Sequence, residues 1–354
     1  MASWAPRFYA GRTVLVTGHT GFKGTWLAHW LSMLGARVVG LALAPETRPS
    51  LFEASGLENR ITSVLADVRE LTAVRDVIDG HRPEIVFHLA AQSLVRRSYR
   101  DPVGTYATNV LGTAHVLEAC RHAPSVRAIV VVTSDKCYDN REWPWGYREI
   151  EPMGGADPYS SSKGCAELVT AAYRRSFYGE GARVASGRAG NVIGGGDWAE
   201  DRLVPDIVRG VAADRPIAIR NPRSVRPWQH VLEPLSGYLT LARRLCEDGG
   251  GAVAQGYNFG PDDAEALSVA EVAERLVARL GRGRLAIAPD GGPHEAAHLR
   301  LDSSKARAEL GWRPRLSLEE TLAWTADWYR AHLGDPAAAA GLLDPQVQDY
   351  MRRG

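Results

Sequence analysis

The chain has 354 residues, 45% hydrophobic and 23% charged, a balance that fits a large folded unit with room for a second lobe and excludes disordered and collagen-like classes. With 42 Lys and Arg against 41 Asp and Glu, the formal net charge is +1, which argues against nucleic acid as the main partner. Cys120, Cys137, Cys165 and Cys246 form no C-x-x-C pair and no zinc-ligand spacing, so a reducing, cytoplasmic setting without a metal is expected.

Met1 to Gly11 carries no apolar run of signal-peptide length. No later stretch reaches the roughly 18 apolar residues of a membrane helix, so no membrane association is expected. Strands are predicted at Thr13 to Thr17, Arg37 to Leu41, Ile61 to Ala66, Ile85 to Leu89, Ala128 to Thr133 and Arg183 to Arg188. Amphipathic helices fall between them at Lys23 to Leu34, Leu71 to His81, Val103 to His122 and Ser160 to Tyr178. This alternation predicts an α/β, Rossmann-like, doubly wound parallel sheet. Past Gly187 the texture turns to Gly, Pro, Arg and Trp, and helical patterns resume near Leu232, Ser268 and Ser317, with a weakly determined Ala-rich tail from Pro336 to Leu343. The expected division is a dinucleotide-binding domain over 1–188, with returns near 225–262, and a smaller, interleaved C-terminal substrate lobe made mostly of 189–354.

The first predicted strand runs into Gly18-His19-Thr20-Gly21-Phe22-Lys23-Gly24, which opens a helix. Glycines spaced G-x-x-G-x-x-G allow a tight turn, close approach of the backbone to a pyrophosphate and close helix packing, with the helix N-terminus facing the anion. Gly18, Thr20, Gly21, Phe22, Lys23 and Gly24 are therefore candidate cofactor residues. The second strand ends in Gly40-Leu41-Ala42-Leu43, without the acid that holds the ribose hydroxyls of NAD. Lys23 and Arg48 are candidates for a 2′-phosphate, so NADP stays open beside the favoured NAD. Asp67 and Val68 follow the third strand as candidates for the adenine side, and Ala90 and Ala91 follow the fourth, where small residues let the backbone approach a cofactor.

Tyr159 and Lys163 stand one helical turn apart on one face. A lysine ammonium there, helped by a nicotinamide cation, favours the phenolate and equips Tyr159 to accept a proton from a substrate hydroxyl. Thr133-Ser134-Asp135-Lys136 lies just past the fifth strand, at the edge where doubly wound folds place their chemistry, and offers a hydroxyl, an acid and a base.

These segments resemble the extended short-chain dehydrogenase/reductase superfamily, in particular its nucleotide-sugar 4,6-dehydratases. The resemblance runs over nearly the whole chain. It is carried by the glycine loop, Ser134 to Tyr138, Trp145 to Glu149, Asp157 to Glu167, Arg188 to Trp198 and Arg226 to Val231. It implies a cycle in which Tyr159 deprotonates the sugar 4-hydroxyl while hydride leaves carbon 4 for NAD, water is lost across carbons 5 and 6, and hydride returns to carbon 6. It implies that Asp135 protonates the departing 6-hydroxyl and that Ser134 hydrogen-bonds the 4-hydroxyl. Lys136 stands where the dTDP-glucose enzymes carry a glutamate base, which is similar to the branch acting on CDP-glucose; whether it is the carbon 5 base or a stabiliser of the enolate stays open. Gln92, Asn191, Arg226 and His294 are candidate substrate-side residues, Asn191 and Arg226 for the diphosphate. The resemblance also implies that Val103 to His122 and Ser160 to Tyr178 pair across a two-fold homodimer, with higher homo-oligomers open. Two rival readings remain: an NAD(P)-dependent nucleotide-sugar epimerase, which Asp135 and Lys136 would distinguish, and a non-catalytic dinucleotide-binding module, which the Tyr159/Lys163 pair argues against.

Overall fold

The structure, a computed structural model, describes residues 6–179, 181–262, 267–287 and 298–353. Its first half alternates β1 (Thr13–Thr17), β2 (Arg37–Ala42), β3 (Thr62–Leu65), β4 (Ile85–His88), β5 (Ala128–Val132) and β6 (Arg183–Ala189) with helices. The helices are α1 (Phe22–Met33), α2 (Leu51–Ala54), α3 (Leu71–His81), α4 (Val95–Arg100), α5 (Pro102–Tyr106), α6 (Gly112–Arg121) and α7 (Pro158–Phe177). In the second half, the short strands β7 (Val192–Ile193), β8 (Ile217–Ile219), β9 (Val225–Arg226) and β10 (Gln229–His230) precede β11 (Gly256–Phe259), and β12 (Leu267–Ser268) and β13 (Leu285–Ile287) follow it. Helices α8 (Leu203–Ala212), α9 (Leu232–Cys246), α10 (Val269–Leu280), α11 (Leu318–Gly334), α12 (Pro336–Ala340) and α13 (Leu343–Arg352) complete the chain.

Seven strands form one sheet in the order β3-β2-β1-β4-β5-β6-β11, parallel throughout. This is the doubly wound α/β fold. The near-continuous apolar runs of β1, β4 and β5 are explained by helices on both faces, since every residue of β4 and β5 is buried. Edge strand β3 is mostly exposed and carries Thr62 and Ser63. One core lies on the face of Trp26, Trp30, Leu235 and Trp328, and the other on the face of Val39, Ile78, Val116 and Leu117. Each fully buried large apolar side chain in them contributes about 1.5–3 kcal/mol. Strand order reverses between β1 and β4, whose carboxyl ends pair at Thr17 and His88, so a crevice opens there.

Two predicted helices differ in ways that shape this crevice. The stretch Val103 to His122 is broken into α5, a π-helical turn at Ala107–Leu111 and α6. The wider turn faces the buried Asn109 inward, where its amide bonds Gln92 and Ser162. Helix α7 starts two residues before Ser160, because Asp157 caps it, accepting from the Ser160 N–H at 2.9 Å, and Pro158 occupies the first turn. That start places Tyr159 in the first turn and Lys163 in the next. Helices α2, α4, α8, α12 and α13 have no counterpart among the predicted helices.

Candidate active site

The turn after β1 brings three backbone segments together. Gly18 has φ +76°, and a Cβ there would lie 2.7 Å from the Ala90 nitrogen, so only glycine lets the end of β4 pass. A Cβ on Gly24 would lie 2.0 Å from the Gly18 carbonyl oxygen, so α1 could not start so close to the loop. Gly21 caps α1 without a side-chain hydrogen bond, which leaves the first-turn N–H groups of Phe22, Lys23 and Gly24 for an anion. This cradle fits the pyrophosphate of a dinucleotide. The Thr20 hydroxyl is used in the fold, donating to the Leu43 carbonyl at 2.8 Å, and the Phe22 ring reaches Gly194 in the second half.

Lys23 is not where a 2′-phosphate contact requires it. Its Nζ points inward and donates to the Tyr238 hydroxyl at 3.2 Å. Burial, with Lys163 and Arg202 nearby, brings its ammonium down to about 7. Of the two cations weighed for NADP, only Arg48 stays near the exposed loop after β2. Asp67 is engaged by Arg69 at 2.5 Å, which holds its carboxyl below the usual range, while Val68 is buried against Gly112. Ala90 is fixed by its N–H donating to Thr17 Oγ1 at 3.1 Å, and Ala91 follows it at the rim.

At the end of β5, a short 3₁₀ turn at Asp135–Cys137 is capped by Ser134, whose hydroxyl accepts from the Lys136 N–H at 3.2 Å and donates to Asp135 Oδ1 at 2.9 Å. Ser134 also faces the Tyr159 phenol and favours its ionised form. Asp135 is 3% exposed, and its Oδ2 has no hydrogen-bond partner among the described residues. Burial holds this carboxyl above the usual carboxylate range, against the pull of Lys136, Ser134 and Arg226. Gly190 keeps the space in front of it clear, since a Cβ there would meet Asp135 Oδ2 at 2.9 Å. Lys136 projects from the same turn and is half-buried.

Tyr159 is buried, with its N–H on Ser98 Oγ at 3.1 Å. Burial pushes its phenol up to about 12, opposed by Ser134. Lys163 is buried one turn on, and its Nζ donates to the Val132 carbonyl at 3.4 Å. Burial draws this ammonium down to about 8, and Glu167 resists that shift. The crevice therefore gathers Ser134, Asp135, Tyr159, Lys163 and Lys23.

Among the substrate-side candidates, Arg226 is buried and acts electrostatically on Asp135. Asn191 adjoins Gly190, and its carbonyl accepts from the Gln229 N–H, which ties β7 to β10. Gln92 turns its amide into its own loop, donating to Thr105 at 2.9 Å and accepting from the Leu94 N–H at 2.6 Å. His294 lies outside the described residues. Sequence reasoning did not single out Asn109, Ser98, Arg202 or Glu167. Arg202 spans from Asp197 Oδ2 at 2.9 Å to Ser93 Oγ at 3.0 Å and faces Tyr159, but nothing in its local sequence distinguishes it from a surface arginine. Asn109 did leave a signal, a polar residue at an inward position of a helical pattern.

A family model described as GDP-mannose 4,6 dehydratase matches residues 15–325. A CDP-glucose 4,6-dehydratase of Salmonella typhimurium is 52% identical over 97% of this chain and 97% of its own length. Among solved structures, a dTDP-glucose 4,6-dehydratase from Streptomyces venezuelae with NAD bound is 27% identical with a TM-score of 0.75, over 92% of this chain and 99% of that one. A UDP-glucose 4-epimerase from Thermus thermophilus, in complex with NAD, is 26% identical with a TM-score of 0.76, over 90% and 99%.

Proposed function

The chain belongs to the GDP-mannose 4,6-dehydratase family, within the extended short-chain dehydrogenase/reductases, and on that premise we propose that it converts CDP-glucose to CDP-4-keto-6-deoxyglucose and water, with NAD as cofactor. The observation that carries this reading is Asp135, a buried carboxyl held above its usual range beside Tyr159, with Oδ2 left free of partners among the described residues. A 4-epimerase needs one proton acceptor at carbon 4 and has no use for a second proton donor beside it. Elimination of the 6-hydroxyl needs both.

The glycine cradle and the uncapped start of α1 would hold the cofactor's pyrophosphate. What NAD supplies when bound is a temporary acceptor for the hydride that leaves carbon 4 and returns at carbon 6. In this reading Tyr159 takes the 4-hydroxyl proton, with Ser134 hydrogen-bonded to the same oxygen. Burial holds the phenol protonated, and in this reading Lys163 and the cofactor's positive charge would offset it. Asp135 gives its proton to the departing 6-hydroxyl. Lys136, on the same turn, serves the carbon 5 proton as base or steadies the enolate that remains. The sum is loss of one water without net oxidation.

Asn191 and Arg226, with much of 189–354, supply the diphosphate side of the cleft. A two-fold homodimer is part of the proposal, supported by the exposed Val103, Leu111 and Leu168 on the α5, π-turn and α7 surfaces. Incubation with CDP-glucose and NAD, read by mass spectrometry, tests the activity: one water is lost if the reading holds, and a product of unchanged mass would point to epimerisation. The same assay over a panel of nucleotide sugars tests the nucleotide.

A further inference from the structure

Four residues beyond Lys163, on the same face of α7, lies a second buried acid. Glu167 is 5% exposed and bonds Arg188 of β6 at 2.8 Å, Thr133 at the end of β5 at 2.5 Å and Ser186 of β6 at 2.7 Å. These contacts hold its carboxyl below the usual range although burial opposes them. Arg188 in turn donates to the Tyr138 hydroxyl at 2.6 Å, just past the turn that carries Asp135. Taking two charges out of water offsets most of what their attraction returns, so such a pair adds little net stability over an apolar one. Its effect has to be sought in the field it sets.

That field falls on Lys163. The Lys163 ammonium and the Glu167 carboxylate meet consecutive residues of the same strand end, donating to the Val132 carbonyl and accepting from the Thr133 hydroxyl respectively. Besides Tyr159, one turn earlier on α7, the other titratable groups facing Lys163 among the described residues are Lys23 from α1, His88 from β4 and Cys137 from the turn after β5. Lys23 is a like charge. Burial brings His88 down to about 3 and pushes the Cys137 thiol up, so both are neutral near pH 7. Arg174 on α7 and Arg188 face Glu167 rather than Lys163. Among the described residues, Glu167 is thus the carboxylate opposing the desolvation of Lys163.

We propose that Glu167, locked by Arg188, Thr133 and Ser186, is a positioning residue that keeps Lys163 cationic and so sets the alkaline limit of turnover. The inference rests on the Tyr159/Lys163 reading given above.

Removing the charge alone, in Glu167→Gln, strands Arg188 in the core, so the decisive variant is the double Glu167→Gln/Arg188→Met, compared with Glu167→Asp, Tyr159→Phe and wild type. Lys163 acts as the protonated form, so losing its counter-charge must move the alkaline limb of kcat to lower pH, by roughly 1 pH unit or more. The expected result is that shift in the double variant, with KM for CDP-glucose within about threefold of wild type, and no shift in Glu167→Asp. A purely structural pair would lower Tm or the height of the profile and leave the limb in place. That outcome, with Tyr159→Phe inactive, overturns the role of Glu167 alone. Near-normal turnover in Tyr159→Phe overturns the catalytic reading and this inference with it.

Discussion

Glu233, in the first turn of α9, offers a test of how this chain couples protonation to folding, through the substitution Glu233→Gln. The carboxylate is 1% exposed and accepts from the Arg315 N–H at 2.9 Å, the Leu316 N–H at 2.7 Å and the Tyr350 hydroxyl at 2.7 Å. It therefore joins α9 to the segment before α11 and to the C-terminal helix. Burial pushes it from 4.5 up to about 7 despite those donors. Because the folded chain binds this proton more tightly than the unfolded one, the contribution is fully present below about pH 4.5 and is lost as pH rises through about 7. At about 1.4 kcal/mol for each tenfold change in proton affinity, the whole effect is about 3 kcal/mol, most of it between pH 5 and 8. Glutamine keeps the shape and has no proton to lose. Urea unfolding at pH 5, 6, 7 and 8 reads the outcome: relative to Glu233→Gln, wild type loses about 2–3 kcal/mol across that range. A difference that stays constant from pH 5 to pH 8 refutes the reasoning.

Gly24→Ala pushes a Cβ to 2.0 Å from the Gly18 carbonyl oxygen, so the loop must yield by more than an ångström; NAD affinity falls at least about tenfold by calorimetry, and wild-type affinity would contradict the cradle. Asp135→Asn removes the proposed proton donor and lowers kcat by about 10²- to 10⁴-fold with NAD affinity unchanged; a loss under twofold would remove Asp135 from its role. Val103→Glu with Leu168→Glu places charge on the exposed apolar faces of α5 and α7, and sedimentation is expected to report a monomer in place of the proposed wild-type dimer. An unchanged sedimentation profile would move the interface elsewhere.

Sheet and glycine loop were legible because both are governed by local rules. Apolar runs mark strands buried on two sides, and glycines mark places where backbone meets backbone, as Gly18 meets Ala90. Tyr159 and Lys163 were legible because helical spacing alone puts them on one face. What stayed hidden depends on tertiary contact. Lys23 reads as a loop cation, and only the packing of α1 against α9 turns it toward Tyr238. Gln92 reads as a substrate-side residue, yet its amide is engaged by Thr105 and Leu94. The π turn that aims Asn109 leaves the helical pattern almost intact, so no period analysis separates it from α6.

The measurement that bears most directly on the central claim follows a label. CDP-glucose deuterated at carbon 4, incubated with the enzyme and NAD, is predicted to give CDP-4-keto-6-deoxyglucose with the deuterium on carbon 6, as seen by NMR. A carbon 4 epimer that still carries its deuterium at carbon 4 would contradict the account.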